Sequence, residues 1–248
     1  MSRLRFLRSR AKRRWPTLPE GWRIYAIGDV HGRVDLLDEI FARIDENLAR
    51  SSAHRAVHVL LGDYVDRGPS SREVLDRLVE RRRSHHVICL KGNHESYLID
   101  FLHNPSVLSD WRHFGGLETL RSYGLDPSAN PNPREELKLA RAFGAALPEA
   151  HKDVLRKLGA SFTCGDFFFA HAGVKPGVPL AQQSENDLLW IRDDFLLSEQ
   201  DFGKVVVHGH TPVLAPDIRP NRINIDTGAY ATGRLTCLMI EKDTLFVL

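Results

Sequence analysis

The sequence predicts an α/β fold in which a helix-covered parallel sheet leads into a second sheet, and three observations carry that expectation. Short β-branched runs alternate with amphipathic helical periods over the first hundred residues. From about Phe162 onward, strand-like runs follow one another with short connections. Carboxylate, imidazole and carboxamide side chains are concentrated just past these runs, where open α/β sheets place their sites.

Taken in order, Arg23 to Ile27 reads as a strand, and Leu36, Leu37, Ile40, Phe41, Ile44 and Leu48 then share one helical face. His58 to Leu61 is the next strand, followed by a helix carrying Val74, Leu75, Leu78 and Val79. Val87 to Leu90 is a third strand, with a helix after Asn93. This β-α-β-α-β order is the signature of parallel pairing. A stretch at about 105–150 is helical but interrupted by Gly115, Gly116, Gly124 and a Pro/Asn-rich segment from Asp126 to Pro133, and it reads as an insertion on the rim. The later runs are Phe167 to His171, Lys204 to Val207, Arg222 to Ile225, Leu235 to Ile240 and Leu245 to Leu248. Their short connections predict antiparallel pairing in the second sheet.

The chemistry lies in the turns. Gly28-Asp29-Val30-His31-Gly32 follows the first strand, Gly62-Asp63-Tyr64-Val65-Asp66-Arg67-Gly68 the second, and Gly92-Asn93-His94-Glu95 the third. Ala170-His171-Ala172-Gly173 and His208-Gly209-His210-Thr211-Pro212 close two later strands. One Asp-x-His would be an ordinary surface turn; five loops of like chemistry at five strand ends are not. Such a donor set without cysteine suits Mn²⁺, Fe or Zn²⁺ better than a soft-metal site.

The motifs GDxHG, GDxVDRG and GNHE, all present without a gap, resemble those of the phosphoprotein phosphatase family of metallophosphoesterases, and the likeness runs from about Arg23 to Ile240. It implies a four-layer metallophosphoesterase sandwich, two mixed β-sheets flanked by helices, with two divalent ions, Mn²⁺ foremost, at the rim. By the same resemblance Asp29, His31 and Asp63 hold one metal, and Asp63 bridges to a second held by Asn93, His171 and His210. His208 takes an orienting or structural role. A metal-bridging hydroxide would attack phosphorus in line, Arg67 and Arg192 would bind phosphoryl oxygens, and His94, oriented by Asp66, would protonate the leaving group. A surface ion pair with Asp193 or Asp194 is the competing role for Arg192, and turn capping the competing role for Asp66.

Composition bounds the rest. Lys and Arg total 34 against 32 Asp and Glu, so the net charge of +2 gives no general pull toward nucleic acid. Seven cations and no anion precede Trp15, leaving the remaining chain near −5. Residues 1–20 therefore read as a basic arm, expected to be disordered, ahead of one catalytic domain over 21–248; nucleic-acid contact through the arm is not expected. No apolar run approaches the roughly 18 residues that span a bilayer. Cys89, Cys164 and Cys237 sit among strand-like apolar neighbours, which points to reduced thiols and a cytoplasmic setting.

The motifs favour a bacterial or phage-type serine/threonine protein phosphatase, with phosphoprotein or phosphopeptide substrates and phosphotyrosine as a further one. Diadenosine tetraphosphate hydrolysis is the alternative within the superfamily; Asp66 and Glu95 follow the protein-phosphatase form. A non-catalytic scaffold is the alternative outside it. Asn224-Ile225-Asp226-Thr227-Gly228-Ala229 departs from the segment of eukaryotic relatives.

Overall fold

The computed structural model describes residues 2–4, 16–50 and 55–248. Six strands form the first sheet: β1 Ser2–Leu4, β2 Trp22–Ile27, β3 Arg55–Leu60, β4 His86–Cys89, β10 Cys237–Glu241 and β11 Thr244–Val247, in the order β1-β11-β10-β2-β3-β4. Five form the second: β5 Ser161–Cys164, β6 Phe167–Ala170, β7 Val205–His208, β8 Asp217–Ile218 and β9 Arg222–Asn224, in the order β5-β6-β7-β9-β8. Both sheets are mixed. β2, β3 and β4 pair in parallel as the crossover helices α1 (Val34–Ala49) and α2 (Ser71–Ser84) require.

Side-chain alternation along the strands builds the layers. In β2, Tyr25 and Ile27 face the helices while Ile24 and Ala26 face the second sheet, and in β10 Cys237 and Met239 alternate in the same way with Leu238 and Ile240. Phe167 and Phe169 of β6 meet that inter-sheet core, whereas Phe168 and Ala170 turn outward to Leu188 and Phe195. Helix, sheet, sheet and helix thus stack in four layers around three apolar cores.

Three expectations need correction. β6, β7 and β9 pair in parallel, because each connection is long enough to cross over; only the flanking pairs of that sheet are antiparallel. The last two strands join the first sheet beside β2 and not the second. Of the basic arm, Ser2–Leu4 is an edge strand on β11, and the segment before β2 packs on the body through buried Leu18 and the Thr17 N–H bond to Asp166. The expectation of disorder over residues 1 and 5–15 falls outside the described residues.

The helical insertion also runs further than expected, from Pro105 to Arg156, and its Trp111, Phe143 and Val154 enter the same core as α1 and α2. All three cysteines are buried and unpaired. Among the described residues no helix is long and apolar enough to cross a membrane.

His58 of β3 gives the fold a pH signature away from the turns. It is fully buried, accepts a hydrogen bond at Nδ1 from Arg81 Nε at 3.2 Å, and is pushed down to about 3 by burial and then by the Arg81 charge. Between that value and the ordinary one near 6.5, the unfolded chain binds a proton that the folded chain refuses, so stability falls as pH falls. From about pH 7 to about pH 5 this one imidazole should remove on the order of 1–2 kcal/mol. Urea unfolding at the two pH values checks this, and His58→Gln should reduce the difference by about that amount, the other buried histidines supplying the rest.

Candidate metal centre

Each chemistry-bearing turn leaves the C-terminal end of a parallel strand, which brings together groups far apart in sequence. Asp63 stands in the middle. Its Oδ2 lies 3.5 Å from His31 Nε2, while its Oδ1 lies 3.4 Å from His171 Nε2. Two groups of donor atoms result, each compact enough for one ion: His31, Asp63 and His94, and Asp63, His171 and His210. Asn93 joins the second, its Oδ1 2.9 Å from His171 Nε2 and 3.0 Å from His210 Nδ1.

The hydrogen bonds behind the rings set which nitrogen faces inward. His31 Nδ1 meets the Val65 carbonyl at 2.9 Å and His171 Nδ1 the Leu61 carbonyl at 3.0 Å. A carbonyl only accepts, so both Nδ1 atoms carry the proton and both Nε2 lone pairs point into the site. Burial pushes His31 down to about 3 and His210 to about 2, and lowers His171 as well. Neutral imidazoles of this kind are ligand-ready.

The donor set fits cations. His171 Nε2 and Asn93 Oδ1 are two acceptors in contact, which an ion between them would reconcile. Asp29 is buried, its Oδ2 accepts the His210 N–H at 2.9 Å, and its Oδ1 has no hydrogen-bond partner. Burial, then Asp226 and Asp63, raise its pKa well above the carboxylate range, the cost of anionic oxygens crowded without a neutralising charge. Asp29 lies outside both compact groups; a methyl group at Gly209 would collide with its Oδ1. Burial opposes the charge on Asp63, but the histidines around it, His94 the one that favours its proton, hold its pKa below the ordinary carboxylate range.

His94 behaves differently from the others. Its Nδ1 is 2.7 Å from Asp66 Oδ2 and its Nε2 is 3.3 Å from an Arg67 guanidinium nitrogen, whose charge opposes a proton on the ring. Although burial opposes it, Asp63 and Asp66 raise its pKa, which favours the imidazolium. Asp66 is no turn cap: its Oδ1 accepts the Thr119 hydroxyl at 2.5 Å, and its Oδ2 accepts the Trp111 indole N–H at 2.7 Å. The helical insertion therefore holds the carboxylate that faces His94. Arg67 lies over the Tyr230 ring at 4.6 Å. Arg192 is exposed and, among the described residues, pairs with neither Asp193 nor Asp194. His208 is buried edge-on against Phe195 at 4.9 Å and stands outside both donor groups.

Two carboxylates carry more than their motifs advertised. Glu95, fully buried at the start of α3 (Asn93–Phe101), accepts N–H bonds from Gly92 at 2.9 Å and from Asp63 and Tyr64 at 2.8 Å each, so it braces two site loops at once. Asp226 is 2% exposed, and burial foremost pushes it up to about 6. Its position after the short strand β9 was the available signal.

Backbone geometry marks the same residues. His31, Asp63, Asp66, Arg67 and His210 all adopt left-handed φ values between 47° and 72°, a conformation that costs about 1–3 kcal/mol at a non-glycine residue.

Residues 23–237 match the family model described as calcineurin-like phosphoesterase. The chain belongs to the calcineurin-like phosphoesterase family. Within that family it is 30% identical over 251 residues to a bis(5'-nucleosyl)-tetraphosphatase (asymmetrical) of a Geobacillus species, covering 91% of this chain and 94% of the relative. An enzyme of the same name from Anoxybacillus flavithermus is 25% identical, covering 89% and 92%. The crystal structure of a cold-active protein-tyrosine phosphatase from a psychrophilic Shewanella superposes with a TM-score of 0.58 at 15% identity, over 93% of this chain and 80% of that one. At that identity the likeness speaks for the fold alone. The calcineurin-like family implies a dinuclear divalent-metal site, and the two donor groups sharing Asp63 are where this chain could hold it.

Proposed function

We propose that the chain is a metal-dependent hydrolase of dinucleoside polyphosphates, cleaving a phosphoanhydride asymmetrically. The observation that carries this reading is near full-length similarity to bis(5'-nucleosyl)-tetraphosphatases. It replaces phosphoprotein hydrolysis, which the motifs had favoured, as the leading activity. Two divalent ions, when bound, supply a nucleophile at neutral pH and offset phosphate charge. Asp29, His31 and Asp63 would hold one; Asp63, Asn93, His171 and His210 would hold the other. Arg67 and Arg192 add planar forks for the oxygens of a polyphosphate chain. His94 keeps a proton at Nε2 for the departing oxygen, and Asp66 holds the ring in that state.

One observation favours a second reading. The buried Asp66–His94 pair suits a strongly basic leaving group such as a serine or threonine alkoxide, and a phosphate leaving group needs that proton less. The test is hydrolysis of diadenosine tetraphosphate against phosphoserine, phosphothreonine and phosphotyrosine peptides, across Mn²⁺, Mg²⁺, Zn²⁺ and Fe²⁺. ATP and AMP as products, with kcat/KM at least roughly tenfold above any peptide, are expected. A higher kcat/KM on a phosphopeptide would reverse the order of the two readings.

A further inference from the structure

Two aromatic rings at the mouth of the site do no core packing. Neither Tyr230 nor Trp190 belongs to any of the three apolar clusters, yet each stands beside a different half of the metal centre. Tyr230 is 41% exposed, sits edge-on to His31 at 5.4 Å and carries the Arg67 guanidinium on its face. Trp190 is half-buried, sits edge-on to His210 at 6.3 Å and lines a cavity of about 350 Å³ together with Lys175, Arg192 and three aspartates, Asp187, Asp193 and Asp194. Tyr97 buttresses Trp190 edge-on at 5.7 Å and stacks on Phe114 at 5.2 Å, extending that apolar ledge. The arrangement repeats: an aromatic ring, an arginine and an inward-facing histidine on each side of Asp63.

We infer that Tyr230 and Trp190 are base-stacking ledges, one for each nucleoside of a dinucleoside polyphosphate, with Arg67 and Arg192 taking the phosphates next to each base. This rests on the dinucleotide reading above and adds to it the residues that make the enzyme select nucleotides over plain polyphosphate. A ring face stacks on any base, so the ledges predict tolerance of guanine in place of adenine. A phosphopeptide has no base to place on either ring.

The test compares wild type with Tyr230→Ala, Trp190→Ala, Tyr230→Phe and Trp190→Phe, using KM and kcat for diadenosine tetraphosphate and Ki for inorganic tripolyphosphate, which carries charge and no base. Each alanine variant should raise the dinucleotide KM by about 5–100-fold, the range for losing one base–aromatic stack. The tripolyphosphate Ki should rise less, and phenylalanine should restore most of the loss. Equal losses on both compounds, or an unchanged dinucleotide KM, would overturn the ledges while leaving the dinucleotide reading in place. A wild type inert toward diadenosine tetraphosphate overturns that reading, and the ledges with it. Should an alanine variant fail to fold, fluorescence decides: the dinucleotide should quench tryptophan emission in wild type, and Trp190→Phe should lose most of that quenching. Undiminished quenching in that variant would count against the Trp190 ledge.

Discussion

Asp63→Asn is expected to abolish turnover and to weaken both metals together. The loss should exceed the roughly 10²–10⁴-fold that removal of a general acid costs. The reason is in the orientation of the two oxygens, one toward His171 and the other toward His31 and His94. An amide keeps the shape but removes the shared negative charge, and it presents an NH₂ group to one set of imidazole lone pairs. Elemental analysis of the purified variant beside wild type reads the outcome. Two fully occupied ions with normal turnover would defeat the bridging role.

The second large effect is a dependence on the leaving group. His94→Ala should retain both ions but hydrolyse an alkyl phosphate about 10²–10⁴-fold more slowly. Its defect should shrink on p-nitrophenyl phosphate and on diadenosine tetraphosphate, whose leaving groups are weaker bases than an alkoxide. Asp66→Asn should follow the same order in milder form, since it keeps the imidazole and removes the charge that stabilises the imidazolium. The measurement is kcat on all three substrates, with metal content in parallel. Equal losses on all three, or an ion missing from His94→Ala, would make His94 a positioning residue or a ligand and not the acid.

The parallel half of the fold was readable because β2, β3 and β4 each end in a glycine turn and are separated by periodic helices. The second sheet was harder. Its strand β8 has only two residues and β5 alternates weakly, so neither rises above loop composition. That the last two strands return to the first sheet, with β10 beside β2, is a matter of long-range pairing, which no local pattern encodes. The site divided similarly: motif residues were visible in their turns, whereas Trp111 and Thr119 look like ordinary helix residues until Asp66 is seen between them. Tyr230 gave no periodic signal either, because a ring at a site mouth belongs to no amphipathic face.

The left-handed turns at His31, Asp63, Asp66, Arg67 and His210 bear on how this centre could be moved or lost. A designer who copied the side chains onto another parallel sheet would obtain the letters without the script, because ordinary αR or extended backbone at those five positions would splay the donors apart. The transplantable unit is the whole strand-end loop, including the glycines that let neighbouring loops touch. A one-residue insertion in such a loop would then disable the centre as thoroughly as removal of a ligand, with every donor still present in the chain.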